Sequence, residues 1–160
     1  MEHQLENALR IKYIKLHFTA AFLENTKLPA EKLSALRGGM GQMLLQANCI
    51  RDRNCERCEF EPECMVHRTL YTQCAVRPNF MTSKDSIGYI LECENYEENF
   101  SEGDLLQFDL ILFGKTIVYF HQYIEAFRAL GKEGIGKYCS KYQIVSITDT
   151  RRKPFLAESC

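Results

Sequence analysis

Between Leu9 and Phe18 the chain alternates apolar and polar positions, and the alternation changes phase midway. Leu9, Ile11 and Tyr13 stand against Arg10 and Lys12, after which Ile14, Leu16 and Phe18 stand against Lys15 and His17. A period of two predicts a strand with one buried face, and the slip predicts a bulge at Tyr13-Ile14. Beyond Leu28-Pro29 the period lengthens, with Leu33, Leu36, Met40, Met43 or Leu44, and Ala47 recurring at three and four residues. That spacing predicts an amphipathic helix of about 17 residues. Gly38, Gly39 and Gly41 fall inside it. Each costs a helix roughly 0.8 to 1 kcal/mol relative to alanine, so close approach of a backbone or a ligand is expected to offset them.

No sustained period runs through residues 48–78, which read as an insertion. Order resumes at Ile87: Ile87, Tyr89, Leu91 and Cys93 alternate with Gly88, Ile90 and Glu92, and past the polar loop Glu94–Gly103, Leu106, Phe108, Leu110 and Leu112 share one face. These predict two strands of a hairpin with a long loop. Thr116 is placed as an N-cap, Ile117, Phe120, Ile124 and Phe127 repeat at helical spacing, and Gly131 supplies a stop. Tyr142–Ile147 reads as a last short strand before a polar tail, 148–160. The order β-α-(insertion)-β-β-α-β predicts an α+β domain of ferredoxin-like, RRM-like topology: four antiparallel strands carrying two helices on one face. Such a fold by itself implies no activity.

Composition narrows the class. With 160 residues, 26% charged, 11% aromatic and a net charge of −1, the chain suits one folded domain spanning 1–160, and disorder or a purely electrostatic nucleic-acid tail is disfavoured. Its apolar stretches are too short to span a membrane and the N-terminus lacks a signal-peptide pattern, so a cytoplasmic location without membrane contact is expected. Eight cysteines are too few for a small disulfide scaffold and point to metal instead. Four of them form the pattern Cys49-x5-Cys55-x2-Cys58-x5-Cys64. Four soft thiolates complete a closed tetrahedral zinc site, structural in kind because no position is left open for water. A [4Fe-4S] cluster takes the same donors and is the alternative. The loop resembles the C-x6-C-x2-C-x5-C cluster loop of DNA glycosylases in the endonuclease III group, with one residue fewer in the first gap; the likeness stops at the loop. His67, three residues on, could replace a cysteine as ligand, a surface histidine being the commoner reading.

Charge is uneven along the chain. Eight acids and no Lys or Arg lie between Asp85 and Asp109, while seven bases against Glu133 and Asp149 lie between Phe127 and Lys153. The basic stretch includes the segment Leu130–Lys137, LGKEGIGK, where Gly134 and Gly136 would let backbone amides approach a phosphate and Lys132, Lys137 and Lys141 add positive charge. It follows a helix and precedes a strand, the reverse of a nucleotide-binding loop. Its plain alternative is a helix cap and a turn.

The segment Leu33–Gly41, LSALRGGMG, the cysteine loop after it, and Leu130–Gly136, LGKEGIG, resemble in this order the pre-crRNA-processing endoribonucleases of the RAMP superfamily, over roughly Ile11 to Ile147. The resemblance implies a ferredoxin-like domain that holds CRISPR repeat RNA and cleaves it without a metal, a ribose 2′-OH attacking the adjacent phosphate. It implies Arg37 as a phosphate contact, other CRISPR effector subunits as partners, and a second RAMP domain that these 160 residues do not contain. The family's helix histidine has no counterpart in 29–48, so no catalytic residue is assigned; His17, at a polar position of the first strand, is placed as solvated. Two readings of other classes stand beside this one: a metal-stabilised protein-interaction module without RNA specificity, and an iron–sulfur sensor.

Overall fold

The computed structural model describes residues 12–70 and 88–149. In chain order its strands and helices are β1 (Tyr13–Phe22), β2 (Thr26–Lys27), α1 (Leu33–Asn48), α2 (Met65–Leu70), β3 (Tyr89–Glu92), β4 (Asn99–Phe100), β5 (Leu105–Phe113), α3 (Phe120–Glu133) and β6 (Tyr142–Asp149). Four strands form one antiparallel sheet in the order β3-β5-β1-β6, and β2 pairs with β4 in a separate two-stranded ribbon. The chain is thus a mixed α+β domain, with α1 and α3 packed on one face of the sheet and the other face left open by the described residues. Among the described residues no helix is long and apolar enough to cross a membrane.

Alternation decides which face is covered. Leu16, Phe18, Ala20 and Phe22 of β1 and Leu106, Phe108, Leu110 and Leu112 of β5 point into the helical layer and are buried. They meet Leu36, Met40 and Leu44 of α1 and Tyr123, Ile124, Phe127 and Leu130 of α3. At the centre the rings of Phe18 and Phe108 stack at 5.0 Å, and Phe127 lies 5.1 and 4.9 Å from them. Truncating Phe127 to alanine would remove the ring that joins α3 to both central strands, a loss of about 3 to 5 kcal/mol.

Several boundaries depart from the sequence reading. β1 pairs with β5 without a slip from Tyr13↔Phe113 to Ala21↔Leu105, so the described strand has no bulge at Tyr13-Ile14; Leu9 to Ile11 lie outside the described residues. Register shifts instead between Thr19 and Ala20 against β6. Thr116 does not cap α3. It sits within a 3-10 segment, Gly114–Tyr119, where Oγ1 accepts from the Phe113 amide and donates to Gly88 O, fastening the end of β5 to the start of β3. Nor does Gly131 end α3, which runs on to Glu133; the break comes at Gly134, with φ 103°. β6 continues through Asp149, so Thr148 and Asp149 belong to the sheet and not to a tail. Ile87 and the segment 71–78 fall outside the described residues.

Candidate functional site

Two stretches remote in sequence meet where α1 packs on α3. A Cβ built on Gly39 would lie 2.5 Å from Leu130 Cδ1, so Gly39 is where α3 presses into α1. Gly131 does the same between α3 and β6, for its Cβ would fall 2.9 Å from the Tyr142 ring. Beside them, a Cβ on Gly136 would stand 3.1 Å from Leu28, at the approach to α1. Gly39, Gly131 and Gly136 therefore serve one packing junction, whereas a Cβ on Gly41 would meet only Leu70, at 3.8 Å. Around Gly38 the space is open, since nothing lies within 4 Å of its added Cβ.

From this junction residues 134–141 project as a tight hairpin. Ile135 and Ser140 exchange both backbone hydrogen bonds at 2.9 Å, and Gly134, Gly136 and Cys139 all have positive φ. Thr26 Oγ1 and Ser140 Oγ are hydrogen-bonded, holding the hairpin to β2. A Cβ on Gly134 would strike the Cys139 backbone, so this glycine closes the turn. What the hairpin offers is its tip. Lys137 and Tyr138 are exposed there, with Lys137 Nζ 5.7 Å from the Tyr138 ring centre, and Lys132 and Lys141 are exposed on either side in sequence. None of the three lysines is held in an ion pair with a described residue.

Arg37 lies on the exposed side of α1 one residue before Gly38. Its Nε donates to the Tyr89 hydroxyl at 3.1 Å, and the guanidinium stands 6.0 Å from that ring. The bond uses Nε and orients the terminal nitrogens, the fork suited to phosphate or carboxylate.

The four cysteines share one small cavity. Two 3-10 turns, Cys55–Arg57 and Glu61–Glu63, each place a cysteine at or just past an end, and Cys49, Cys55, Cys58, Cys64, Glu61 and His67 line a void of about 20 Å³, the room of a single water molecule. Burial pushes the Cys55 thiol up, reinforced by the negative charge that Cys64, Cys49 and Cys58 would carry. His67 is not a free surface ring: its Nε2 is 3.1 Å from Glu61 Oε1. The thiols surround the void and do not converge, and among the described residues no three His, Cys, Asp or Glu side chains are set so as to hold an ion as they stand. In donor type the set fits tetrathiolate zinc; a bound ion would supply the convergence.

A cluster that the sequence reading did not assemble occupies the open sheet face. Asp109 of β5 receives Lys15 Nζ at 2.9 Å on Oδ2 and His17 Nδ1 at 2.5 Å on Oδ1, and Lys15 reaches Glu92 of β3 at 2.7 Å. The carboxylate accepts, so Nδ1 carries the proton of this bond. Hydrogen bonds from Lys15 to Glu92 and Asp109 raise its pKa above the usual lysine range, keeping it cationic. Some of the signal was present in the sequence: Lys15, His17, Glu92 and Asp109 all sit at polar positions of alternating strands. The cross-strand register, Lys15↔Ile111 and His17↔Asp109, is what the pattern lacks.

No curated protein matches the chain. Among solved structures, a chain of the Csm3-Csm4 subcomplex in the type III-A CRISPR-Cas interference complex superposes with a TM-score of 0.57 at 14% identity, covering 88% of this chain and 80% of that one. A chain of a partial Cas6-RT-Cas1–Cas2 complex covers 94% of this chain at 14% identity and a TM-score of 0.47, but only 19% of its own length is matched. At such identity the first likeness is one of fold alone: the chain shares the fold of that Csm3-Csm4 chain. Residues 9–158 match the AF_1859_N family, described as an N-terminal domain, and the chain belongs to that family.

Proposed function

We propose that this domain binds RNA, with CRISPR repeat RNA as its substrate class, through the hairpin 134–141 and the exposed end of the α1–α3 junction. The observation that carries the reading is the contrast between two sets of lysines. Lys132, Lys137 and Lys141 stand exposed, none of them ion-paired with a described residue and Lys137 beside the exposed Tyr138 ring, whereas Lys15 on the open sheet is neutralised by two carboxylates. Unpaired cations beside an aromatic ring suit a single-stranded backbone with a stacked base. Arg37, oriented by Tyr89, is a further phosphate contact. The fold likeness supports the substrate class, and the strand order β3-β5-β1-β6 supports the ferredoxin-like topology with 48–78 as its insertion. Zinc at Cys49, Cys55, Cys58 and Cys64 would pin that insertion, with [4Fe-4S] as the other occupant of the same donors; other CRISPR effector subunits or a second RAMP domain would complete the assembly. Bound metal would supply cross-linking of the loop and no chemistry on RNA.

The test is a gel assay with end-labelled repeat RNA and a scrambled control, with EDTA present and salt near 0.15 M, since phosphate contacts weaken as salt rises. Preferential binding of the repeat, lost in the Lys132→Ala, Lys137→Ala, Lys141→Ala variant, is the expected result. Cleavage to a 2′,3′-cyclic end, which the family resemblance implies, would appear in the same lanes. Equal or absent binding of both RNAs would refute repeat recognition.

A further inference from the structure

The open face of the sheet has a different character from the hairpin. Along it runs a groove of about 520 Å³ between β5 and the segment after β3, lined among others by Lys15, His17, Glu92, Glu94, Gln107 and Asp109. One ammonium stands against three carboxylates, so the groove is anionic. Its free groups are acceptors: the Glu92 oxygen not bonded to Lys15, and Glu94. A phosphodiester would be repelled here, and a ligand rich in N–H donors and positive charge would be attracted.

The same face exposes apolar side chains at both ends of the groove. At one end Tyr13 (58% exposed) pairs with Phe113 at 6.3 Å between ring centres, next to Ile90 (47%). At the other stands Leu105 (52%). An ionic centre between apolar ends is the pattern of a protein-docking surface, in which the apolar contacts supply affinity and the charges select the partner.

We propose that the open sheet face docks a protein segment outside these 160 residues that carries arginine or lysine between apolar side chains, the basic group seated against Glu92 and Glu94. This goes beyond RNA binding and places the two ligands on different surfaces of the domain.

The experiment uses the full chain and a fluorescent peptide containing two arginines flanked by leucines, beside a twin in which citrulline, of the same shape but uncharged, replaces each arginine. Fluorescence anisotropy at low salt is expected to show the arginine peptide binding about ten-fold tighter than its twin, and Glu92→Gln with Glu94→Gln removing most of that difference. Glu97→Gln with Glu98→Gln, acids outside the groove, should leave it intact, and thermal melts establish that both variants fold. Equal binding of the two peptides, no binding of either, or equal loss in both acid pairs would overturn the proposal. So would displacement of the peptide by single-stranded RNA, which would make the face a portion of the RNA surface. Repeat-RNA binding in the Glu92/Glu94 variant reads the RNA proposal separately: it should be unchanged.

Discussion

Gly38 and Gly131 make opposite demands on the same substitution. Alanine at Gly38 meets nothing within 4 Å, so the only effect in the free protein is helix propensity, a gain of about 0.8 to 1 kcal/mol. Alanine at Gly131 gains the same propensity, but its Cβ would lie under 3.0 Å from both the Tyr142 carbonyl and its ring. The carbonyl is backbone of β6, and the ring is held by the hydrogen bond from its hydroxyl to Phe127 O at 2.8 Å, so neither can swing aside. Relief requires α3 and β6 to separate, and overpacking against neighbours that do not yield lies in the upper part of the usual range, about 2 to 3 kcal/mol, leaving a net loss of roughly 1 to 2 kcal/mol. Urea unfolding followed by circular dichroism measures both. With a slope of about 2 kcal/mol/M, Gly38→Ala should raise the midpoint by about 0.5 M and Gly131→Ala lower it by 0.5 to 1 M, with unchanged slopes. A destabilised Gly38→Ala would refute the open space assigned above that residue. If it is stabilised yet binds repeat RNA less tightly, Gly38 is kept for close approach of the ligand.

Other outcomes follow from the same contacts. Lys32 is buried, its Nζ donating to Asn95 O at 2.8 Å and Glu97 O at 2.7 Å; Lys32→Met should leave those carbonyls unpaired and cost about 1 to 3 kcal/mol in the same unfolding assay. Burial raises Tyr123 and Tyr142 above the ordinary tyrosine value of 10.0, so the folded state keeps protons that the unfolded chain releases. That stability is complete below pH 10 and is lost as pH rises further; the melting temperature should fall on the alkaline side, and Tyr142→Phe should lessen the fall while losing one hydrogen bond at neutral pH. Adding Co²⁺ to the reduced, metal-free chain should give thiolate charge-transfer absorption at one equivalent, abolished by Cys55→Ser, and zinc should raise the melting temperature; absence of both would refute the tetrathiolate site. Replacing Lys132, Lys137 and Lys141 by alanine should flatten the log–log salt dependence of RNA binding by about two units, at roughly 0.7 per lost phosphate contact, and a smaller change would remove the hairpin from the interface.

Periodicity carried the sheet and both long helices because burial enforces it: Leu16, Phe18, Leu106, Phe108 and Leu110 had no other face to occupy. It failed where a single hydrogen bond or close approach decides the boundary. Thr116 has the chemistry of a cap, but its hydroxyl is taken by Gly88 O, and Gly131 has the chemistry of a stop, but it is needed for contact with Tyr142. Of the site, Lys137 and Lys141 were legible as exposed charge. The pairing of His17 with Asp109 was not, because it depends on register between positions 92 residues apart. The ribbon of β2 and β4, with Lys32 beneath it, was hidden in a stretch too short and polar to show any period.

The position of β1 in the sheet also bears on how the chain comes to be made. β1 is an interior strand finished at Phe22, yet its neighbours β5 and β6 begin only at Leu105 and Tyr142. At a synthesis rate of about 5 to 20 residues per second, β1 leaves the ribosome many seconds before either edge can be covered. During that interval its Leu16, Phe18 and Phe22 are available to other nascent chains. Any version of this domain cut short before Tyr142 keeps that exposure permanently, so truncation should produce aggregates instead of a smaller folded unit.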